Sequence, residues 1–245
     1  MPESREVCLI RPNWSAPANV KAFTTTRSGG FSHKPWDSFN LAEHCGDDPE
    51  NVRQNRGLLQ NLLPDRPHWL VQVHGSNVVN IQTNECSPRV ADAVVSSSPG
   101  RVCAVLTADC LPVLLCNRAG TVVAAVHAGW RGLFAGVLEA TVTRMGREAG
   151  ELNAWLGPAI GPQAFEVGGD VFAAFTRLSD SNAIAFTAHG HRWHADLYEL
   201  ARLELLRLGV TRISGGQYCT YTQNEQFFSY RRDGLTGRMA TVIWL

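Results

Sequence analysis

Several short segments of this chain are apolar along almost their whole length. They read NVVNI, ADAVVS, VCAVL, TVVAAV and ATVIWL, and WLVQV, NAWL and FFSYR are also predicted to be strands. A strand with one face in water alternates apolar and polar residues, whereas a continuously apolar strand is covered on both faces. Helical patterns lie between some of these strands but not all of them. The sequence therefore predicts a mixed α+β fold, with a central sheet system and flanking helices.

Four helices are predicted from helical spacing and from capping residues. They are ENVRQNRGLLQNLL after Asp48-Pro49, LFAGVLEATVTRMGREAG opened by Gly132, VFAAFTRL capped by Asp170, and LYELARLELLRL capped by Asp196.

Size and charge narrow the classes of protein to which the chain can belong. Its 245 residues can bury a full core, and no linker marks a boundary, so one domain over 1–245 is expected. The 22 basic residues match the 22 acidic ones, so the basic excess typical of nucleic-acid binders is missing. No apolar run is long enough to span a membrane. We expect a cytoplasmic protein with a small-molecule partner and neither a nucleic-acid nor a membrane partner.

The seven cysteines have no close CxxC pair, and the N-terminus MPESREVCLI has no signal-peptide core. Reduced thiols in the cytoplasm are therefore expected rather than a disulfide framework.

Three apolar segments end in a side chain that can bind a metal. VQVH ends at His74, LTADC at Cys110 and AAVH at His127, and a Gly or Pro follows each within two residues. Neighbouring strand ends lie about 5 Å apart, so the three side chains can converge. Two imidazoles and one thiolate with an open fourth position form the donor set of a catalytic zinc site. Copper also suits a site with two nitrogen ligands and one sulfur ligand.

The same residues allow a second interpretation without a metal. Cys110 would then be a nucleophile, with His127 or His74 as its base. Ligand sets and Cys–His pairs use the same residue types, so the residues alone leave both interpretations open.

Further polar residues lie next to predicted strands and turns. Arg27 in the turn RSGG and Arg231 after FFSY can hold a phosphate or a carboxylate. Asp109, beside Cys110, is a candidate base or partner of the metal ligands. Asn40 and Glu166 adjoin apolar or glycine-rich turns and are weaker candidates.

The segment HGHRWH contains His189, His191 and His194 and resembles a metal-binding tract. It is polar and precedes a helix cap, so a solvent-exposed loop without a role in metal binding is predicted.

Longer motifs make the chain recognisable. TTTRSGG, SFNLAEHCGDDP, VQVHG, LTADCLPVLL, VHAGWRG, AWLGPAIGP and CTYTQNEQFFSYRRD occur in this order. From about residue 20 to its end the chain resembles the YfiH family, also called the laccase-domain or multicopper polyphenol oxidase family. The resemblance implies a single catalytic domain with a four-layer α/β/β/α arrangement of stacked mixed sheets flanked by helices. It also places His74, Cys110 and His127 on the family's metal and catalytic positions, with Zn²⁺ or copper as the metal.

The resemblance implies several activities. The first is phosphorolysis of adenosine, inosine, guanosine and methylthioadenosine, together with adenosine deamination. The alternatives are a zinc-dependent amidase that edits peptidoglycan precursors, a copper-dependent polyphenol oxidase, and a non-catalytic metal-dependent binding protein.

The histidine count and the sequence motifs of the chain allow these activities to be ranked. With eight histidines and one His-x-His pattern, the chain cannot build the several copper centres of a multicopper oxidase. Nucleoside chemistry fits better, because a zinc-activated water can attack a purine ring carbon. The HxE and PCxxC signature of known zinc deaminases is absent, so the site would be a convergent one.

Phosphorolysis needs a bound phosphate, for which Arg27 and Arg231 are the predicted anchors. Asn40 and Asp109 complete the predicted substrate contacts, and a monomer is expected.

Overall fold

The computed structural model describes residues 6–81 and 89–245, and its fold is mixed α+β, as the sequence predicts. The strands are, in chain order, β1 Leu9–Ile10, β2 Lys21–Thr25, β3 Leu70–Val71, β4 Val78–Asn80, β5 Arg89–Val90, β6 Ala93–Ser96, β7 Cys103–Thr107, β8 Leu111–Asn117, β9 Val123–Ala128, β10 Leu152–Leu156, β11 Glu166–Val167, β12 Phe186–His189, β13 Arg192–Ala195, β14 Arg212–Gly215 and β15 Met239–Trp244. The α-helices are α1 Pro49–Gln60, α2 Trp130–Phe134, α3 Val137–Met145, α4 Gly169–Leu178, α5 Leu197–Arg207 and α6 Tyr230–Asp233. Short 3-10 helices lie at Glu43–Cys45, Ala149–Glu151 and Asp180–Ala185.

Two sheets form the centre of the fold. The larger sheet has the order β14-β10-β8-β9-β6-β4, and the smaller one the order β1-β2-β15-β7. In the larger sheet the two outer pairs, β10 with β14 and β4 with β6, are parallel, whereas the inner pairs are antiparallel. The smaller sheet is antiparallel throughout. The strands β11-β13-β12 form a further antiparallel sheet, and β3 pairs with β5.

Strand β8 shows why the central segments are continuously apolar. Leu111, Val113 and Leu115 belong to a buried cluster that includes side chains of α3 and α5. The alternate residues Leu114 and Cys116 belong to a second cluster, which includes side chains of the smaller sheet. Both faces of β8 are therefore covered. The segment LPVLLCN was not among the predicted strands, although it has the continuously apolar character that predicted them.

A third buried cluster lies on the other face of the smaller sheet. Phe23 and Val242 from its strands pack there with Leu59 of α1. The described helices thus bury apolar side chains against both the larger and the smaller sheet.

Two of the predicted helix starts are confirmed. The Asp48 side chain accepts a hydrogen bond from the backbone N–H of Glu50 at the start of α1. At the start of α5 the Asp196 side chain accepts from the backbone N–H groups of Tyr198 and Glu199. Side-chain caps of this kind satisfy backbone donors that have no partner within the helix.

The other two helix predictions were wrong in detail. The helix expected from Gly132 is two helices, because Gly136 adopts a left-handed φ of 81° between α2 and α3. Asp170 does not cap α4, because the cap residue is Gly168 and Asp170 lies in the first turn.

The prediction of a strand at FFSYR was also wrong. Phe227 and Phe228 are fully buried but lie outside the strands. The hydroxyl of Ser229 then accepts a hydrogen bond from the backbone N–H of Arg232, which starts α6. Two adjacent aromatic residues indicate that a segment is buried, but they do not show whether its backbone is a strand, a helix or a loop.

Within residues 6–81 and 89–245, no helix combines the length and the apolarity that a bilayer crossing requires. The six cysteines in these ranges have free thiols, whereas Cys86 lies outside the described residues.

Candidate metal centre

Three side chains of types that can bind a metal converge between the β7–β8 turn and strand β9. The donor atoms of His74, Cys110 and His127 all lie within 4.8 Å of one another. His74 follows β3 by three residues, Cys110 immediately precedes β8, and His127 lies within β9. The three side chains thus meet as predicted, although only His127 is part of a strand. The antiparallel register of β8 and β9 pairs Leu111 with Ala128 and so brings the start of one strand to the end of the other.

The geometry of this triad suits a small metal ion. Sγ of Cys110 lies 3.8 Å from Nε2 of His74. The rings of His74 and His127 are perpendicular, with their centroids 4.7 Å apart. From the usual zinc–sulfur and zinc–nitrogen bond lengths, sulfur and nitrogen ligands of a tetrahedral zinc ion lie about 3.5 Å apart. One thiolate and two imidazoles at this spacing fit zinc and also copper.

Gly129 leaves the room that this convergence needs. A Cβ added at Gly129 would lie 2.8 Å from Sγ of Cys110 and 3.4 Å from the His74 ring. Any side chain at this position would therefore displace the thiol. This explains the glycine that follows His127 by two residues in the motif HAGWRG.

The backbone is strained at two residues of the site. His74 has a φ of 61° and Asp109, next to Cys110, has a φ of 95°. A residue with a side chain rarely adopts positive φ, and such strain is found most often at functional sites.

Asp92 is a site residue that sequence reasoning missed. Its fully buried carboxylate lies 2.8 Å from Nδ1 of His127 and accepts hydrogen bonds from the backbone N–H groups of His74 and Gly75, at 2.9 and 2.7 Å. It therefore orients the His127 ring and holds the loop that carries His74. Burial raises the pKa of Asp92, but these donors outweigh it and lower the pKa overall. A carboxylate inside the apolar run ADAVVS was the available signal, because a buried charge needs partners.

The triad favours a thiolate beside an imidazolium when no metal is bound. Burial raises the pKa of the Cys110 thiol, but His127 and His74 outweigh it and lower the pKa to about 6. Burial lowers the pKa of His127, whereas the Cys110 charge and Asp92 raise it, to about 9. Between these values the ionised form of the pair prevails, with the thiolate ready to act as ligand or nucleophile.

The triad opens into a cavity of about 450 Å³. Among the described residues, its wall includes three arginines and three aromatic side chains, namely Arg131, Arg231, Arg238, Trp130, Phe165 and Tyr230. Arg131 and Arg238 were not singled out from the sequence, because nothing local distinguishes them from surface arginines.

Two of the predicted substrate contacts lie at this cavity. The carboxylate of Asp109 accepts hydrogen bonds from the Thr220 hydroxyl and from the backbone N–H of Arg231, each at 2.6 Å. The guanidinium of Arg231 packs over the Phe165 ring and donates to the backbone carbonyl of Glu166. Asp109 therefore ties α6, which carries Arg231, to the turn that carries Cys110.

The other two predicted contacts lie elsewhere. The guanidinium of Arg27 is bonded to Asp37 and to the backbone carbonyl of Asn224, beside a separate cavity of about 360 Å³. Asn40 is fully buried and donates to the Ala42 carbonyl and the Asp47 carboxylate.

The segment HGHRWH is not the loop that the sequence predicts. It spans the end of β12, a turn and most of β13. His189 and His191 are exposed, as predicted, whereas His194 is half-buried.

Comparison with known proteins shows the family to which this chain belongs. Residues 21–245 match the family described as multi-copper polyphenol oxidoreductase laccase. The chain is 55% identical to "Purine nucleoside phosphorylase YfiH" of Escherichia coli, over 97% of this chain and 98% of that protein. The chain belongs to the YfiH, or laccase-domain, family. A purine nucleoside phosphorylase of Pseudomonas aeruginosa is 52% identical over 96% of this chain and 98% of its own length.

Two solved structures have the same fold as this chain. A Neisseria meningitidis protein, 50% identical, superposes with a TM-score of 0.94 over 97% of this chain and 98% of that one. YlmD from Geobacillus stearothermophilus, 29% identical, superposes with a TM-score of 0.90 over 96% and 95% of the two chains.

Asp92→Asn is expected to weaken zinc binding at the triad by about 10- to 100-fold, because the buried anionic partner of His127 is lost. A competing chromophoric chelator measures the zinc dissociation constant. The matched control is Asp47→Asn, since Asp47 is also a buried, hydrogen-bonded carboxylate but contacts Ser32 and Asn40 instead. Equal affinity in wild type and Asp92→Asn would contradict this role.

Alkylation of Cys110 in metal-free protein is expected to rise with pH with a midpoint near 6, because a lowered pKa makes the thiolate prevail above that value. Rates of iodoacetamide labelling, read by mass spectrometry of the Cys110 peptide, give the profile. His127→Gln should move the midpoint upward, since it removes the principal group that stabilises the thiolate. A wild-type midpoint near 9 would show that the imidazoles do not stabilise it.

Proposed function

We propose that this chain is a metal-dependent purine nucleoside phosphorylase that also deaminates adenosine. The observation that carries the proposal is the His74, Cys110 and His127 donor set at a cavity with arginine and aromatic walls. Two relatives more than half identical to this chain are named purine nucleoside phosphorylases, which supports the reaction class. The proposed substrates are adenosine, inosine, guanosine and methylthioadenosine.

The arginine wall suits phosphate. Arg231 belongs to α6 and Arg131 to α2, and both line the cavity of the triad. Planar guanidinium groups match the paired oxygens of a phosphate better than lysine does. We assign the phosphate to Arg231 together with Arg131 and Arg238, because all three line the cavity of the triad and Arg27 does not.

The aromatic wall suits the purine. Trp130, Phe165 and Tyr230 present flat apolar surfaces in the same cavity. Stacking on such side chains holds any purine base and discriminates little between bases. This matches a substrate range that includes adenosine, inosine and guanosine.

His74, Cys110 and His127 would hold the metal, with Zn²⁺ favoured by the mixed nitrogen and sulfur donors and copper as the alternative. When bound, such an ion supplies Lewis-acid chemistry and lowers the pKa of a nearby water towards neutrality. Asp92 keeps Nδ1 of His127 engaged, so that Nε2 faces the donor atoms of the other two residues.

The second candidate is an amidase that edits peptidoglycan precursors. In the metal-free protein, the lowered pKa of Cys110 beside the raised pKa of His127 favours amide hydrolysis, because this pairing activates a cysteine nucleophile. A zinc-dependent amidase would use the same three ligands, so the two candidates share one site.

The proposal extends to the whole chain. Residues 1–245 form one catalytic domain in a four-layer α/β/β/α arrangement of stacked mixed sheets. The three buried clusters, one between the sheets and one between each sheet and its helices, support it. The protein is proposed to be a cytoplasmic monomer.

Adenosine incubated with the purified protein is expected to give adenine and ribose-1-phosphate with phosphate, and inosine without it. Cys110→Ala should abolish both reactions, because it removes either a metal ligand or a nucleophile. Chromatography of the products measures both, and Cys8→Ala, at an exposed cysteine, is the control. Full activity of Cys110→Ala would refute the site. No product from metal-loaded wild type would refute nucleoside chemistry and favour the amidase, which muropeptide substrates then test.

Arg231→Ala is expected to raise the KM for phosphate about 10- to 100-fold, because a charged hydrogen bond contributes about 1.5–3 kcal/mol. Adenosine deamination, which uses no phosphate, should change less. Arg27→Ala tests the competing assignment, and Arg118→Ala, at an exposed arginine paired with Glu151, is the control. A larger phosphate effect in Arg27→Ala, or equal effects of Arg231→Ala on both reactions, would overturn the assignment.

A further inference from the structure

The small sheet β11-β13-β12 carries a second group of metal-binding side chains. Its register pairs Glu166 with His194, His194 with Thr187, and His189 with Arg192. Side chains alternate between the faces of a sheet, so Glu166, His189 and His194 all project from one face.

The opposite face of this sheet is fixed to the core. Val167, Phe186 and Ala195 are buried there, and the Trp193 ring stacks on Phe172 with centroids 3.8 Å apart and planes 2° from parallel. The polar side chains therefore project from strands whose other face is packed against the core. The strands form a firm base for side chains that point outward.

The donor atoms of the three residues already lie close together. One donor atom from each of Glu166, His189 and His194 falls within 4.8 Å of the other two. Nδ1 of His189 is 3.2 Å from Oε2 of Glu166, and the rings of His189 and His194 stack with centroids 4.2 Å apart. The His189 side chain is 58% exposed, so its ring has room to turn a nitrogen towards an ion beside Glu166 and His194.

We propose that Glu166, His189 and His194 form a second binding site for a divalent transition metal, separate from the triad. Two imidazoles and a carboxylate are a donor set that binds Zn²⁺, and imidazole also suits Ni²⁺ and Cu²⁺. The ion would take the place of the proton between His189 and Glu166, and water would complete its coordination. The sequence predicted no metal role for HGHRWH, but the register of the hairpin gives it one.

An ion pair with Arg192 competes with a metal ion for the Glu166 carboxylate, but this pair is weak. Arg192 lies 3.3 Å from Oε1 of Glu166, and its side chain is 63% exposed. Exposed ion pairs contribute little because water and salt screen them. Oε2 of Glu166, on the side of His189, remains available to an ion without breaking this pair.

Binding would connect three strands. Glu166 lies on β11, His189 on β12 and His194 on β13, so one ion would tie the tip of the hairpin to its neighbour. An ion that binds only the folded sheet stabilises it by mass action. The inference does not depend on the proposed enzymatic activity, and its readout is metal content.

Equilibrium dialysis of tag-free protein against Zn²⁺, followed by metal analysis, tests the site. Wild type is expected to bind one zinc per chain more than His189→Ala/His194→Ala, and Glu166→Gln to bind that zinc more weakly. The matched control is His191→Ala, at an exposed histidine of the same turn outside the group, which should keep the full zinc content. Equal zinc content in wild type and the double variant would overturn the proposal.

Cys110→Ala separates this site from the triad. It is expected to lose the triad zinc and to keep the second one, and added zinc should still raise its melting temperature. Adding His189→Ala/His194→Ala to Cys110→Ala should remove that rise. A rise that persists in the triple variant would place the second zinc elsewhere and refute the assignment.

Discussion

The structure depends on the antiparallel pairing of β8 with β9. Six residue pairs, from Leu111 with Ala128 to Cys116 with Val123, fix its register. Both strands are buried along their whole length, and alternate residues of β8 face two different apolar clusters. A shift of one residue would exchange the two faces and separate Cys110 from His127. One strand register therefore determines both the packing of the core and the position of the candidate metal ligands.

Asp92 connects this pair of strands to His74, the third residue of the triad. It immediately precedes β6, which pairs with β9, and its backbone carbonyl accepts a hydrogen bond from the His127 amide. Its side chain contacts the His127 ring and the backbone of the His74 loop. A buried carboxylate is stable here because several donors surround it, and removing one of them would leave a costly charge. The same carboxylate therefore orients the His127 ring and, together with the Cys110 charge, raises the pKa of His127.

The cavity beside the triad is assembled from parts of the chain that are distant in sequence. Arg131 lies in α2, three residues after the end of β9, whereas Arg231 belongs to α6 near the C-terminus. The link is Asp109, whose carboxylate accepts from the Arg231 backbone. Arg231 in turn contacts Phe165 and the Glu166 carbonyl, and Glu166 also belongs to the second donor group. Arg231 therefore connects the cavity beside the triad to strand β11, which carries one residue of the second donor group.

The sequence by itself determined the mixed α+β class, the doubly covered strands, the caps of α1 and α5, and the three residues of the triad. These features follow from local composition, or from motifs long enough to be specific. Only the tertiary structure decided that Arg27 lies at a separate cavity, that FFSY is not a strand, that Asp92 supports His127, and that His189 and His194 share a face with Glu166. The physical reason is that strand register and contacts between distant segments set the direction of a side chain. A local sequence pattern indicates which residues are buried and whether a segment is a helix or a strand. It does not indicate which side chains meet.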